Sequence, residues 1–118
     1  MQYLLLIYEN EKRWSDMPEA KRNAEMAEYG TFTQSIIDSK EMQGGNALQP
    51  TTTATTVRVR DGKRLTTDGP FAETKEQLGG YYLIEAKDLD AAIAVAARIP
   101  SVRAGAIEIR PIMDTTGM

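Results

Sequence analysis

Hydrophobic residues first gather at Gln2–Tyr8, which reads Q-Y-L-L-L-I-Y. A short, near-continuous apolar run predicts a strand covered on both faces, in the middle of a sheet. Glu9–Ser15 is polar and loop-like. From Asp16 the period changes. Met26, Tyr29, Phe32 or Thr33, and Ile36 recur at helical spacing on one face, with Ala20, Ala24 and Ala27 on the other. Asp16 is placed to cap this helix, Pro18 suits a first turn, and Glu19 completes a capping box. The pattern predicts a helix running to about Lys40 and ended by Gly44-Gly45, with Gly30 costing it about 1 kcal/mol relative to Ala.

Further along, Val57 and Val59 alternate with Arg58 and Arg60, which predicts a strand with one wet face. Asp61-Gly62 follows as a hairpin turn, because both positions need positive φ. Lys63–Thr67 is the returning strand, and Asp68–Gly80 is the least regular stretch. Tyr81–Ala86 returns to strand character. Asp88 caps a second helix with Leu89, Ala92, Ile93 and Ala96 on its buried face, and Pro100 stops it near Ile99. Val102, Ile107, Ile109 and Ile112 belong to a last strand, with Glu108 and Arg110 opposite, and Asp114–Met118 is a frayed tail.

The order is strand, helix, strand pair, strand, helix, strand, within one domain spanning residues 1–118. That is an α+β chain of ferredoxin-like βαββαβ type with an added β-hairpin. Both helices then lie on one face of an antiparallel sheet. The other face needs a cover, and a second copy of the chain is the expected one, which predicts a homodimer.

Composition narrows the chemistry. The chain has neither His nor Cys. No Ser-His-Asp or Cys-His engine can be assembled from it, and no thiolate site. No cofactor is expected. A metal would have to sit on carboxylates alone, and Asp68, Glu73 and Glu76 are the candidates for Mg²⁺. The net charge of −3 argues against nucleic acid and against an anionic membrane surface. No segment approaches the roughly 20 apolar residues that span a bilayer. Gln2–Tyr8 lacks the basic flank of a signal peptide, so the expected location is cytoplasmic.

The stretch Thr67–Tyr82, T-D-G-P-F-A-E-T-K-E-Q-L-G-G-Y-Y, resembles the signature of the DGPF-type branch of YCII-related proteins. Leu5–Tyr8, Gly45–Pro50, Thr55–Arg60 and Glu108–Pro111 are similar to the same family, so the likeness covers nearly the whole chain. The resemblance implies a ferredoxin-like fold that pairs face to face as a dimeric α/β barrel, with a cleft beside the sheet. It also implies, in one branch, an Asp and a His acting together. Asp68 matches the Asp, and the His has no counterpart. Genes of the DGPF branch often neighbour extracytoplasmic-function sigma factors, which implies a regulatory setting.

The candidate site follows from these readings. Asp68 is a general base or ligand anchor, set against its reading as a tight turn with Gly69, Pro70 and Phe71. Lys75 becomes a base if buried beside it, whereas Glu73, Lys75 and Glu76 otherwise form a solvated charged patch. Arg58, Arg60 and Arg110 hold a carboxylate or phosphate if they converge on the cleft. Gly79-Gly80 marks a close backbone approach without the features of a phosphate loop. Tyr8, Tyr81 and Tyr82 read as core or interface aromatics, and Trp14 as an exposed anchor or a cover for the cleft. The expected function is a homodimeric small-molecule-binding domain with acid–base chemistry at Asp68. The alternative is a non-enzymatic regulatory or interaction protein acting beside a sigma factor.

Overall fold

The computed structural model describes residues 1–118. Strand β1 (Gln2–Glu9) leads through a short helix α1 (Glu11–Ser15) into the long helix α2 (Glu19–Asp38). Strand β2 (Met42–Ala47), a 3₁₀ turn (Thr51–Thr53) and the hairpin strands β3 (Thr55–Arg60) and β4 (Lys63–Asp68) follow. Strand β5 (Gln77–Glu85), helix α3 (Leu89–Ala96), a second 3₁₀ turn (Pro100–Arg103) and β6 (Ala106–Pro111) complete the chain. No helix is long and apolar enough to cross a membrane.

Four strands form one antiparallel sheet in the order β2-β5-β1-β6. This mixed α+β arrangement is consistent with a ferredoxin-like fold. Along β1 the side chains alternate: Tyr3, Leu5 and Ile7 are buried, whereas Leu4, Leu6 and Tyr8 are half-buried. The buried set faces Phe32 and Ile36 of α2 and Ala92, Val95 and Ala96 of α3, in one core with Tyr82, Ile84 and Ile99. Phe32 and Tyr82 meet edge-on, with centroids 5.3 Å apart and planes at 77°. The expectation that β1 is covered on both faces is therefore met on one face only within a single chain. On the other, Leu4 lies beside Leu83 and Arg110, and Leu6 beside Tyr81 and Glu108.

The helical region differs from its sequence pattern. Two helices stand where one was expected, because Glu9–Ser15 is the end of β1 and α1 rather than a loop. Asn10 caps α1 through its side chain, and Asp16 is that helix's C-cap, not the N-cap of α2. Helix α2 starts after Pro18 without a side-chain cap, and it ends at Asp38 with Lys40 in the left-handed region at φ 65°. Gly44-Gly45 does not end the helix. It lies within β2, a strand hidden from periodicity by its polar and glycine content. A Cβ on Gly45 would lie 2.8 Å from the Tyr81 carbonyl oxygen and 3.1 Å from the Tyr82 ring, so the glycine serves close strand approach. Ala20, Ala24 and Ala27 are all exposed and favour helix without packing a neighbour. Val102 falls in the second 3₁₀ turn and Ile112 beyond β6.

Strands β3 and β4 form a separate two-stranded sheet. Its turn takes Asp61 to φ 52° and Gly62 to φ 74°, as an Asp-Gly hairpin requires. The hairpin projects as an arm, with every residue of β4 exposed. It accounts for a radius of gyration of 16.5 Å, above the roughly 13–14 Å of a compact chain of this length.

Candidate functional site

A cleft of about 650 Å³ opens where α1 and the first half of α2 stand over the β2–β5 side of the sheet. Ile7, Trp14, Met26, Tyr29, Met42 and Tyr82 supply apolar and aromatic surface. Gly45, Gly79 and Gly80 also line it. Gly79 sits at the β-bulge between Ile7 and Tyr8, where the β1–β5 register slips. Any side chain at Gly45 or Gly80 would meet backbone within 3.0 Å.

Polar groups are arranged around that surface with their own partners. Arg13 on α1 bridges two carboxylates. It donates to Glu9 at 2.6 and 3.2 Å and to Glu25 at 2.9 and 3.2 Å. The hydrogen bond it donates to Glu25 contributes most to holding the guanidinium protonated, with its pKa raised despite partial burial. This trio ties β1, α1 and α2 together at the back of the cleft. Glu11 faces the opposite rim, accepting from the Thr51 amide at 2.7 Å and the Thr51 hydroxyl at 2.8 Å. The Tyr29 hydroxyl pairs with the buried Ser101 hydroxyl. The Tyr82 hydroxyl pairs with Thr33 at 2.8 Å. Burial raises the pKa of both phenols, only partly offset by these hydrogen bonds, so both remain neutral at physiological pH.

Charge gives the cleft its preference. Glu9, Glu11 and Glu25 line it and no Lys or Arg does, with Arg13 behind Glu9 and Glu25 as the single balancing cation. An anionic guest would meet net repulsion there. A neutral ring bearing hydroxyl donors, or a cation, would not.

The residues singled out from sequence lie elsewhere. Asp68, Arg58, Arg60, Gly69, Pro70, Phe71, Lys75 and Arg110 are all absent from the cleft lining. Arg58 and Arg60 stand exposed on β3, and Asp68 ends β4. Gly69 has φ 101°, donates its amide to the Ala54 carbonyl at 2.7 Å and accepts from the Thr56 hydroxyl at 2.8 Å. The D-G-P-F segment thus closes the base of the arm as a turn, and Phe71 is 81% exposed. Arg110 lies on the uncovered sheet face, 3.6 Å from Glu108. The chain has no group of three carboxylates placed to hold a metal ion, so Asp68, Glu73 and Glu76 do not form the Mg²⁺ site considered above.

Of the residues weighed from sequence, Trp14, Gly79, Gly80, Tyr81 and Tyr82 do line the cleft. Glu9, Glu11, Arg13 and Glu25 have no local motif. One signal was available: Glu25 stands four residues before Tyr29 and seven before Phe32, on the apolar stripe of α2. A carboxylate there must be paired, and it is 8% exposed.

A YCII-related domain model matches residues 1–116. An uncharacterised protein, R00369, of Rhizobium meliloti (strain 1021) is 33% identical over 114 residues, covering 95% of this chain and 92% of its own. The chain belongs to the YCII-related family. A similar solved structure is 5-chloro-2-hydroxyhydroquinone dehydrochlorinase (TftG) from Burkholderia phenoliruptrix AC1100, in complex with 2,5-dihydroxybenzoquinone. It has a TM-score of 0.56, covers 96% of this chain and 94% of its own, and at 13% identity is alike in fold.

Proposed function

We propose that this YCII-related domain binds a small, neutral, hydroxylated ring compound in the cleft between α2 and the β2–β5 edge, and does so as a homodimer. One observation carries the binding reading: a cleft of about 650 Å³ combines aromatic walls with three carboxylates and no lining cation. Trp14, Tyr29 and Tyr82 supply aromatic surface, and the carboxylates and neutral phenols accept hydrogen bonds from ring hydroxyls. The solved neighbour's complex with 2,5-dihydroxybenzoquinone is a precedent for a small ring ligand on this fold, though that compound is itself an acid and this cleft's carboxylates favour neutral rings. The uncovered face bearing Leu4, Leu6, Tyr81 and Leu83 supports the homodimer, paired sheet to sheet as a dimeric α/β barrel. The stretch Thr67–Tyr82 supports placement in the DGPF-type branch.

Titration calorimetry at pH 7 with phenols, catechols and hydroquinones, which are neutral there, set against hydroxyquinones, which are anionic, tests the binding. Met26 lines the cleft but is 58% exposed, so Met26→Trp fills the site without disturbing the core. At least one neutral ring compound should bind the wild type, and Met26→Trp should weaken it by about tenfold or more, about 1.4 kcal/mol, with thermal stability retained. If anionic ligands bind better than neutral ones, or if Met26→Trp leaves affinity unchanged, the cleft is not the site.

A further inference from the structure

The β3–β4 arm lacks what a hairpin needs to be stable. Its two strands pair only with each other, and apart from isolated contacts neither packs on another element of the chain. A two-stranded hairpin alone is marginal in water, and needs a helix or further strands to cover one face. Here both faces carry apolar side chains in the open. Val57 and Val59 share one face and are 58% and 67% exposed, while Leu65 on the other is 48% exposed. Phe71, just past the arm's base, is also bare.

Charge identifies the partner. Residues 55–68 hold four basic side chains (Arg58, Arg60, Lys63, Arg64) and two acidic ones (Asp61, Asp68), a net of +2. The whole chain is −3, so the remainder carries −5. A basic, apolar arm and an acidic body with its own uncovered apolar sheet face complement each other. They cannot meet fully within one chain, because the arm points away.

We infer that the arm is an intersubunit element: the β3–β4 hairpin of one copy packs on the body of a second copy, and the second copy's arm does the same in return. The sheet faces of the homodimer proposed above supply one apolar contact, and the exchanged arms supply a second, charge-matched one. The D-G-P-F turn then sets the angle at which the arm leaves the body. This inference rests on the homodimer reading and not on the identity of any ligand.

The test shortens the arm and keeps its base. Replacing residues 57–66 by Asn-Gly preserves the Thr55–Asp68 and Thr56–Thr67 pairs and removes nothing from the core. Sedimentation velocity of both proteins, from nanomolar to high micromolar, is the readout. The wild type should be a dimer, and the shortened protein should show a dissociation constant raised by about a hundredfold or more. The Arg58→Glu, Arg60→Glu double variant should weaken the dimer in the same direction, more at low salt than at high salt. Because the chain has no cysteine, Val59→Cys provides a single thiol. Its reaction with a thiol reagent should slow at dimer concentrations and recover on dilution. A dimer that survives shortening with an unchanged dissociation constant overturns the arm exchange and leaves the homodimer standing. A wild type monomeric throughout overturns both, and leaves cleft binding to its own test.

Discussion

The four-stranded body and the two-stranded arm obey the same strand rules yet lead opposite lives. In the body, β1 and β5 alternate buried with half-buried residues, and the buried half meets two helices. In the arm, β3 alternates as cleanly, with Val57 and Val59 set against Arg58 and Arg60, but alternation meets no helix. Leu5, Ile36, Ile84 and Ile99 are fully buried, whereas the arm's Val59 is two-thirds exposed. Alternation marks which face a strand offers; only a packing partner turns that face into stability. A strand's pattern is therefore a request for a neighbour, and in the arm the chain itself does not answer it.

Substitutions sharpen that contrast by size. Ile84 is 0% exposed in the body's core, so Ile84→Ala should cost about 3–4 kcal/mol in urea denaturation. A loss below about 1 kcal/mol would mean the core is not where the fold is held. Next in size is the alkaline limit of the body. Burial raises the pKa of Tyr29 and Tyr82 above the ordinary phenol value of 10.0 in the folded state. The unfolded chain then loses these protons first. Stability is fully present below pH 10 and falls as pH rises from there through the raised folded values. Thermal melts from pH 8 to 11 should show this decline, and a Tyr29→Phe, Tyr82→Phe double variant should flatten it. An equally steep decline in the double variant would remove these phenols as its cause. Smallest of all is the base of the arm, where Asp68→Ala should change stability by less than about 0.5 kcal/mol and leave cleft binding unchanged. A large loss of binding with stability intact would restore Asp68 as a ligand-contacting residue.

How much was legible in the sequence depended on how local the signal was. The Asp61-Gly62 turn, the Asp88 cap and the apolar run of β1 were all readable, since each rests on neighbouring residues. Strand β2 was not, because Gly44-Gly45 is a helix stop by local chemistry and a site of close strand approach only once Tyr81 and Tyr82 lie beside it. The start of α2 is hidden from local chemistry for a similar reason. Asp16 has capping chemistry, but Asn10 and α1 used the preceding residues first. The D-G-P-F segment stands out in the sequence because its residues are adjacent in the chain. The cleft instead gathers Glu9, Glu11, Glu25, Tyr29 and Tyr82 from four separate elements.

By itself, then, the amino-acid sequence determined the strand and helix periods, the hairpin turn, the basic arm and the lack of histidine and cysteine chemistry. These follow from side-chain identity and from contacts within a few residues. Tertiary structure alone decided which glycines permit close approach, which carboxylates surround Arg13, where the cleft opens, and that the arm stands apart. Those depend on which distant segments share a surface, and that choice is made by the burial of the whole core rather than by any local stretch.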